Sequence, residues 1–180
     1  MVRWLACAVA VCCLGTGLRA QEQDTIRIVP LARDGQLLVS FQVAGGYTDA
    51  VRDAIHSGLR TTFTYEVELR LAVPAWIDRT IAATVISNTV EYDNLTRRHM
   101  VVRTIDGRTT RDEVTEDEDL VQSLMTTLAQ EPLFATAALE PSREYYIRVQ
   151  ATAVRARNAS YLWPWGGNGQ AGQANFTFLP

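Results

Sequence analysis

Acid–base chemistry in this chain would have to come from two histidines, His56 and His99, because all 17 basic residues are arginine. Without lysine there is no phosphate-loop cation and no Schiff-base nucleophile. The three cysteines, Cys7, Cys12 and Cys13, all fall in the first thirteen residues, too far from any other soft ligand in sequence to suggest a zinc–thiolate cluster. His99 follows Arg97-Arg98, and Asp93 or Glu91 is the nearby acid that could orient it in a hydrolase. Ser40, Ser57, Ser87, Ser142 and Ser160 are available hydroxyls, but none sits in a G-x-S-x-G elbow. A triad assembled from scattered positions stays open. His56 comes late in an expected helix, where a cation complements the negative end of the helix dipole.

The acids are equally unselective. Nothing singles out a carboxylate pair of the glycosidase kind among the 20 acidic residues. The densest run, Glu116-Asp-Glu-Asp119, lacks the alternation and glycine of a calcium loop and suits the positive end of a helix. No catalytic, cofactor-binding or metal-ligating residue is therefore assigned. Two features suit recognition instead. Tyr161, Trp163 and Trp165 stand beside the glycine-rich Gly166–Gly172, either as a contact surface or as packing under a last strand. Arg97, Arg98 and Arg103 could present a basic face.

The elements that must position these groups are mostly strands. Phe63, Tyr65, Val67, Leu69 and Leu71 alternate with polar residues over Thr62–Leu71, and Leu37, Val39, Phe41 and Val43 do so over Gln36–Val43. Tyr145, Ile147, Val149, Ala151 and Ala153 repeat the pattern, Ile26 and Ile28 mark a first strand, and Arg33-Asp-Gly35 is a hairpin turn. Asn175–Phe178 would add the last strand. Residues 79–114 read as a three-stranded meander, with a change of phase that predicts a bulge near Val85 and Ile86. Thr48 predicts a helix over Asp49–Ser57 stopped by Gly58. Thr115 and Glu118 form a capping box for a second helix, with Leu120, Val121, Leu124, Met125 and Leu128 on its apolar face and Pro132 as its stop. The expectation is one mainly β domain, an antiparallel β-sandwich of general immunoglobulin-like architecture with two short helices.

Export is written at the start. Arg3, the apolar run Trp4–Leu18 and Ala20 ahead of Gln21-Glu-Gln-Asp24 read as a cleaved secretory signal over 1–20, leaving 21–180 as the domain. The run, about fifteen residues, is short of the ~20 that span a bilayer, and no later apolar run reaches that length. Arg3 and Arg19 leave with the signal, so 15 basic residues face 20 acidic ones and the charge moves from −3 to −5. A cysteine-free, acidic exported domain depends on its core rather than disulfides and is a poor match for nucleic acid.

Ala54-Ile-His-Ser-Gly58-Leu59, Phe63–Leu69, Trp76-Ile-Asp78 and above all Glu91-Tyr-Asp-Asn-Leu-Thr-Arg-Arg98 resemble the bacterial exported family known as domain of unknown function 4390, from about residue 26 to residue 155. The chain departs from the family pattern in its ending, Tyr161–Gly172. The resemblance implies an extracytoplasmic bacterial protein, with no activity attached; members encoded beside envelope sensor kinases point toward signalling or envelope maintenance. Read as residues, the shared block is structural. Asp93 and Thr96 are turn formers, Arg97 or Arg98 could pair with Glu91, and Trp76 suits a connection anchored by a buried indole. The expectation is a periplasmic, non-catalytic binding or structural module with an envelope protein or ligand as partner. The alternatives are a hydrolase using His99 and a carrier of an apolar ligand.

Overall fold

The computed structural model of the protein describes residues 26–74, 76–155 and 170–179. The expected signal over 1–20 with the three cysteines, and Ser160, Tyr161, Trp163, Trp165 and the glycine-rich residues before Gln170, lie outside the described residues. Among the described residues, nine strands and two α-helices follow one another as β1 (Ile26–Arg33), β2 (Gln36–Val43), α1 (Asp49–His56), β3 (Thr61–Leu71), β4 (Arg79–Asp93), β5 (Arg98–Ile105), β6 (Arg108–Thr115), α2 (Glu118–Thr126), β7 (Thr127–Ala135), β8 (Glu144–Arg155) and β9 (Gln170–Thr177). One sheet has the order β1-β2-β7 and the other β6-β5-β4-β3-β8-β9. Each pairing of strands within them is antiparallel. The sandwich is thus three strands over six.

Alternation places the core as expected. Leu37, Val39, Phe41 and Val43 of β2 are buried, as are Phe63, Tyr65, Val67, Leu69 and Leu71 of β3 and Tyr145, Ile147, Val149 and Ala151 of β8. The Phe41 and Tyr65 rings meet across the sheets with centroids 4.9 Å apart. The β1–β2 hairpin turns through Asp34 and Gly35, both left-handed (φ 51° and 75°), the geometry that matches strand twist. On one side the sheets touch directly: a Cβ on Gly172 of β9 would stand 2.8 Å from both Cβ and O of Ile26 in β1. Only glycine fits there.

Helix α1 begins as expected, with Thr48 Oγ1 accepting from Val51 N at 3.3 Å, and Gly58 (φ 80°) follows its end. Helix α2 departs from expectation at both ends. Its cap is Asp117, whose carboxylate accepts from Asp119 N at 2.9 Å and Leu120 N at 3.3 Å, while Thr115 accepts from Asp117 N one step earlier. A carboxylate at the N-cap serves both the open amides and the dipole, so Asp117 displaces the Thr115–Glu118 box. The helix stops at Thr126 rather than running to Pro132. Leu128 is buried from strand β7, and Pro132 sits opposite Leu38 on that edge strand, where a missing N–H is tolerated. Leu120 stays partly exposed.

The meander has its bulge in a different place. Leu69 pairs with Ala82 and Arg70 with Thr80, so the extra residue is Ile81, four residues before Val85. From there Thr84, Ile86, Asn88 and Val90 point inward and Val85 points out. Two of the inward side chains are polar and hydrogen-bonded, and they blurred the parity.

Candidate functional site

The Asp93–Arg98 segment makes the turn from β4 to β5. Asp93 accepts from Leu95 N at 2.8 Å and Thr96 Oγ1 at 2.9 Å, and Arg97 takes the left-handed position (φ 57°). The amide of Leu95 and the hydroxyl of Thr96 hold the Asp93 carboxyl below its ordinary pKa. Asp93 and Thr96 are thus the turn formers that their types suggest. The expected pairing of Glu91 with Arg97 or Arg98 is absent. Glu91 instead accepts from Arg60 at 2.9 and 3.2 Å, and Arg98 donates to Glu116 at 3.0 Å. The residue that leads into β3 and the segment after β6 reach these charges first.

This turn walls a cavity of about 750 Å³. Its floor is the outer face of the meander, where Glu91, Met100 and Val114 lie side by side in register across three strands. Met100 and Val114 are 41% and 58% exposed. Glu91, Asp93 and Arg98 rim that apolar pair with charge, and Gly58 brings the end of α1 to the wall. Sequence reasoning passed over Met100 and Val114. Their signal was parity: if His99 and Val101 face inward, Met100 must face out.

On the inner face of the same strands lies His99, only 2% exposed. Its ring packs against Tyr92 (centroids 4.7 Å apart) and His56 (5.6 Å), and His56 stacks nearly parallel on Tyr92 at 4.9 Å. Neither ring nitrogen of His99 makes a well-aligned hydrogen bond among the described residues, and the backbone of Thr115, opposite it on β6, is close enough to favour the protonated ring. Burial first, and the neighbouring His56 second, push its pKa below the usual imidazole value. His56 Nε2 meets Glu118 at 2.8 Å, so it joins α1 to the start of α2 in addition to ending its own helix. Neither Asp93 nor Glu91 comes within ion-pair distance of His99, and no hydroxyl bonds to it. Ser57 and Ser40 are engaged with backbone groups, at Ala54 O and Gln130 N.

The three arginines do not share a face. Arg97 is exposed at the turn, Arg98 points outward to Glu116, and Arg103 points inward and is only 7% exposed. Arg103 donates from Nε to Asn88 Oδ1 (2.8 Å) and from Nη2 to the carbonyls of Leu124 (2.8 Å) and Thr127 (2.9 Å). Asn88 Nδ2 donates to Leu124 O and Met125 O, and the buried Tyr65 hydroxyl also donates to Met125 O. The network closes the last turn of α2, where carbonyls lack helical partners. A cation there also complements the dipole.

Trp76 is a further correction. It is 80% exposed and Ile77 79%, so no buried indole anchors the β3–β4 connection. Asp78 does that work. Its carboxylate accepts from Val73 N at 3.1 Å and from the Tyr146 hydroxyl at 2.8 Å, and its carbonyl accepts from Arg70. The Tyr146 bond, then the Val73 amide, lower the Asp78 pKa.

Among the described residues, no three His, Cys, Asp or Glu side chains converge as a metal site, and no helix is long and apolar enough to cross a membrane. No curated protein and no solved structure matches the chain. A family match covers residues 20–163, which takes in both helices, strands β1 to β8 and the whole of the turn that walls the cavity. The chain belongs to the family described as domain of unknown function DUF4390.

Proposed function

We propose that the protein is an exported, periplasmic module of the bacterial envelope that works by binding, without catalysis, and that the cleft at the β4–β5 turn receives a segment of another envelope protein. The carrying observation is the cleft itself: an exposed apolar pair, Met100 and Val114, set inside a charged rim. Exposed apolar surface rimmed by polar groups is what association sites offer. Envelope signalling is the setting the family resemblance supports. The hydrolase alternative draws no support from His99, whose ring is buried, bonded to no acid or hydroxyl, and on the strand face opposite the cleft floor. The carrier alternative would need an apolar cavity between the layers, and the facing positions there are filled by Phe41, Tyr65 and Tyr145.

The test is a photo-crosslinking residue placed at Val114 in the full chain expressed in its native host, with Val29 on exposed β1 as the control site. The reading expects a discrete crosslinked species from position 114 and none from position 29. Crosslinks that are absent, or identical at both sites, would overturn it. Recovery of the chain from the cytoplasm with residues 1–20 attached would overturn the export half independently.

A further inference from the structure

A second cavity, of about 330 Å³, lies between the unpaired edges of the two sheets, where β7 faces β5 and β6 under the end of α2. Arg103 is buried at this cavity and Arg111 stands at its rim. The two arginines are directly opposite each other in the β5–β6 register, so their side chains leave the sheet on the same face. Like charges directly opposite are an unfavourable cross-strand pair. No carboxylate lies within 4 Å of either guanidinium among the described residues; burial first and Arg111 second lower the Arg103 pKa, and Glu131, on the β7 wall, acts the other way. Arg103 uses Nε and Nη2 on Asn88, Leu124 and Thr127, all neutral acceptors, which leaves Nη1 with no protein partner there.

The remaining polar groups complete the picture. Thr110 is the extra residue of a bulge between Arg103 and Thr104, and its hydroxyl reaches back to the Arg103 carbonyl at 3.5 Å. Ser123 of α2 brings a hydroxyl to the opposite side of the cavity. Two guanidiniums and a serine hydroxyl therefore offer donors from three elements, against the single charge of Glu131. Guanidiniums recognise oxyanions through paired N–H donors.

We infer that this gap is a binding site for a tetrahedral oxyanion, a phosphate group either free or carried on a larger molecule, held between Arg103 and Arg111 with Ser123 as a further donor. The anion replaces the carboxylate that the arginine pair lacks. The site is separate from the cleft at the β4–β5 turn and does not depend on what that cleft binds.

The experiment titrates the purified protein with inorganic phosphate and, separately, with glycerol 3-phosphate, in chloride buffer of matched ionic strength. Thermal unfolding and the NMR shift of the Arg103 Nε–H are followed. Saturable stabilisation with a moving Arg103 signal is expected. Arg111→Gln, at an exposed position that leaves the α2 network intact, should weaken the response at least tenfold. Without phosphate it should melt no lower than the parent chain, because the like-charge contact is relieved. Arg108→Gln, on the same strand but outside the cavity, should respond as the parent does. A stronger response to the ester identifies a carried phosphate group, and an equal response identifies the free ion as sufficient; either upholds the site. Equal effects of phosphate and chloride, or equal losses in Arg111→Gln and Arg108→Gln, would sink it.

Discussion

The two halves of the six-stranded sheet solve different problems. Strands β3 and β8 face the small sheet and bury an apolar set from Phe63 to Leu71 and from Tyr145 to Ala151. In the meander half, β4 and β5 instead face the helices, above all the carbonyl end of α2, and bury Asn88, His99 and Arg103. The outer face of that half then exposes Met100, Val114 and Val85. An apolar partner can be met by hydrophobic burial alone. A helix terminus presents unpaired carbonyls, and only buried donors can satisfy them.

The largest expected effect tests whether the meander half depends on that network. Arg103→Ala strips donors from Asn88 Oδ1 and from the carbonyls of Leu124 and Thr127. It should cost about 3–5 kcal/mol, since Asn88 Oδ1 and Thr127 O are left unpaired at about 1–3 kcal/mol each, while Leu124 O keeps only the Asn88 amide. Arg103→Met keeps the volume of the stem and loses the donors. If denaturant unfolding finds Arg103→Met as stable as the parent, hydrogen bonding to α2 is not what holds this half.

The apolar half breaks by overpacking. Gly172→Ala puts a methyl 2.8 Å from Ile26 Cβ and O, where backbone must move, and should lose about 1–3 kcal/mol. A smaller effect separates the two readings of the α2 start. Asp117→Ala removes the acceptor of two amides and should cost about 1 kcal/mol, and Thr115→Ala, which frees only the Asp117 amide, less.

How legible the fold was follows the same division. Where a strand meets a sheet, polarity tracks facing, and β2, β3 and β8 could be read position by position. Where a strand meets a helix end, inward residues are polar, so Thr84 and Asn88 hid the phase of β4 and moved its expected bulge from Ile81 to Val85. Arg103 looked like surface by residue type, although its parity with Val101 already placed it inside. Leu128 fitted a helical face and a strand equally well, since periodicity cannot separate short apolar runs. Trp76 was assigned by type, and the capacity of Asp78 to anchor the same loop has no periodic signature. Of the candidate cleft, the turn was legible from Asp93 and Thr96, but the Met100–Val114 floor was not, because it needs the register of three strands.

His99 gives the meander half a pH dependence below neutrality. Its folded pKa lies below the unfolded value near 6.5, so the unfolded chain binds the proton first. The neutral form stabilises the fold fully above about pH 6.5. That contribution falls as the pH drops below this value, and the loss ends at the folded pKa. Unfolding free energies for the parent and His99→Phe, compared from pH 8 to pH 5, should show a slope in the parent that is reduced in the variant. His56 and Glu118 face the same ring and remain in both proteins. An unchanged slope would mean that His99 is not the source of the proton uptake.

The smallest expected effect bears on what the outer face is for. Met100→Ser and Val114→Ser remove apolar groups already 41% and 58% exposed, so each should change stability by no more than about 0.5 kcal/mol. If chemical denaturation confirms this, the fold does not need these side chains apolar, and an apolar pair inside a charged rim is kept for contact with something else. Met100→Ser, introduced into the chain that carries the crosslinker at position 114, should then lose the crosslinked partner while keeping the melting curve of the chain that carries the crosslinker alone. A large loss of stability would reverse the argument: Met100 and Val114 would be part of the core's support, and the difference between the inner and outer faces of the meander would carry no information about binding.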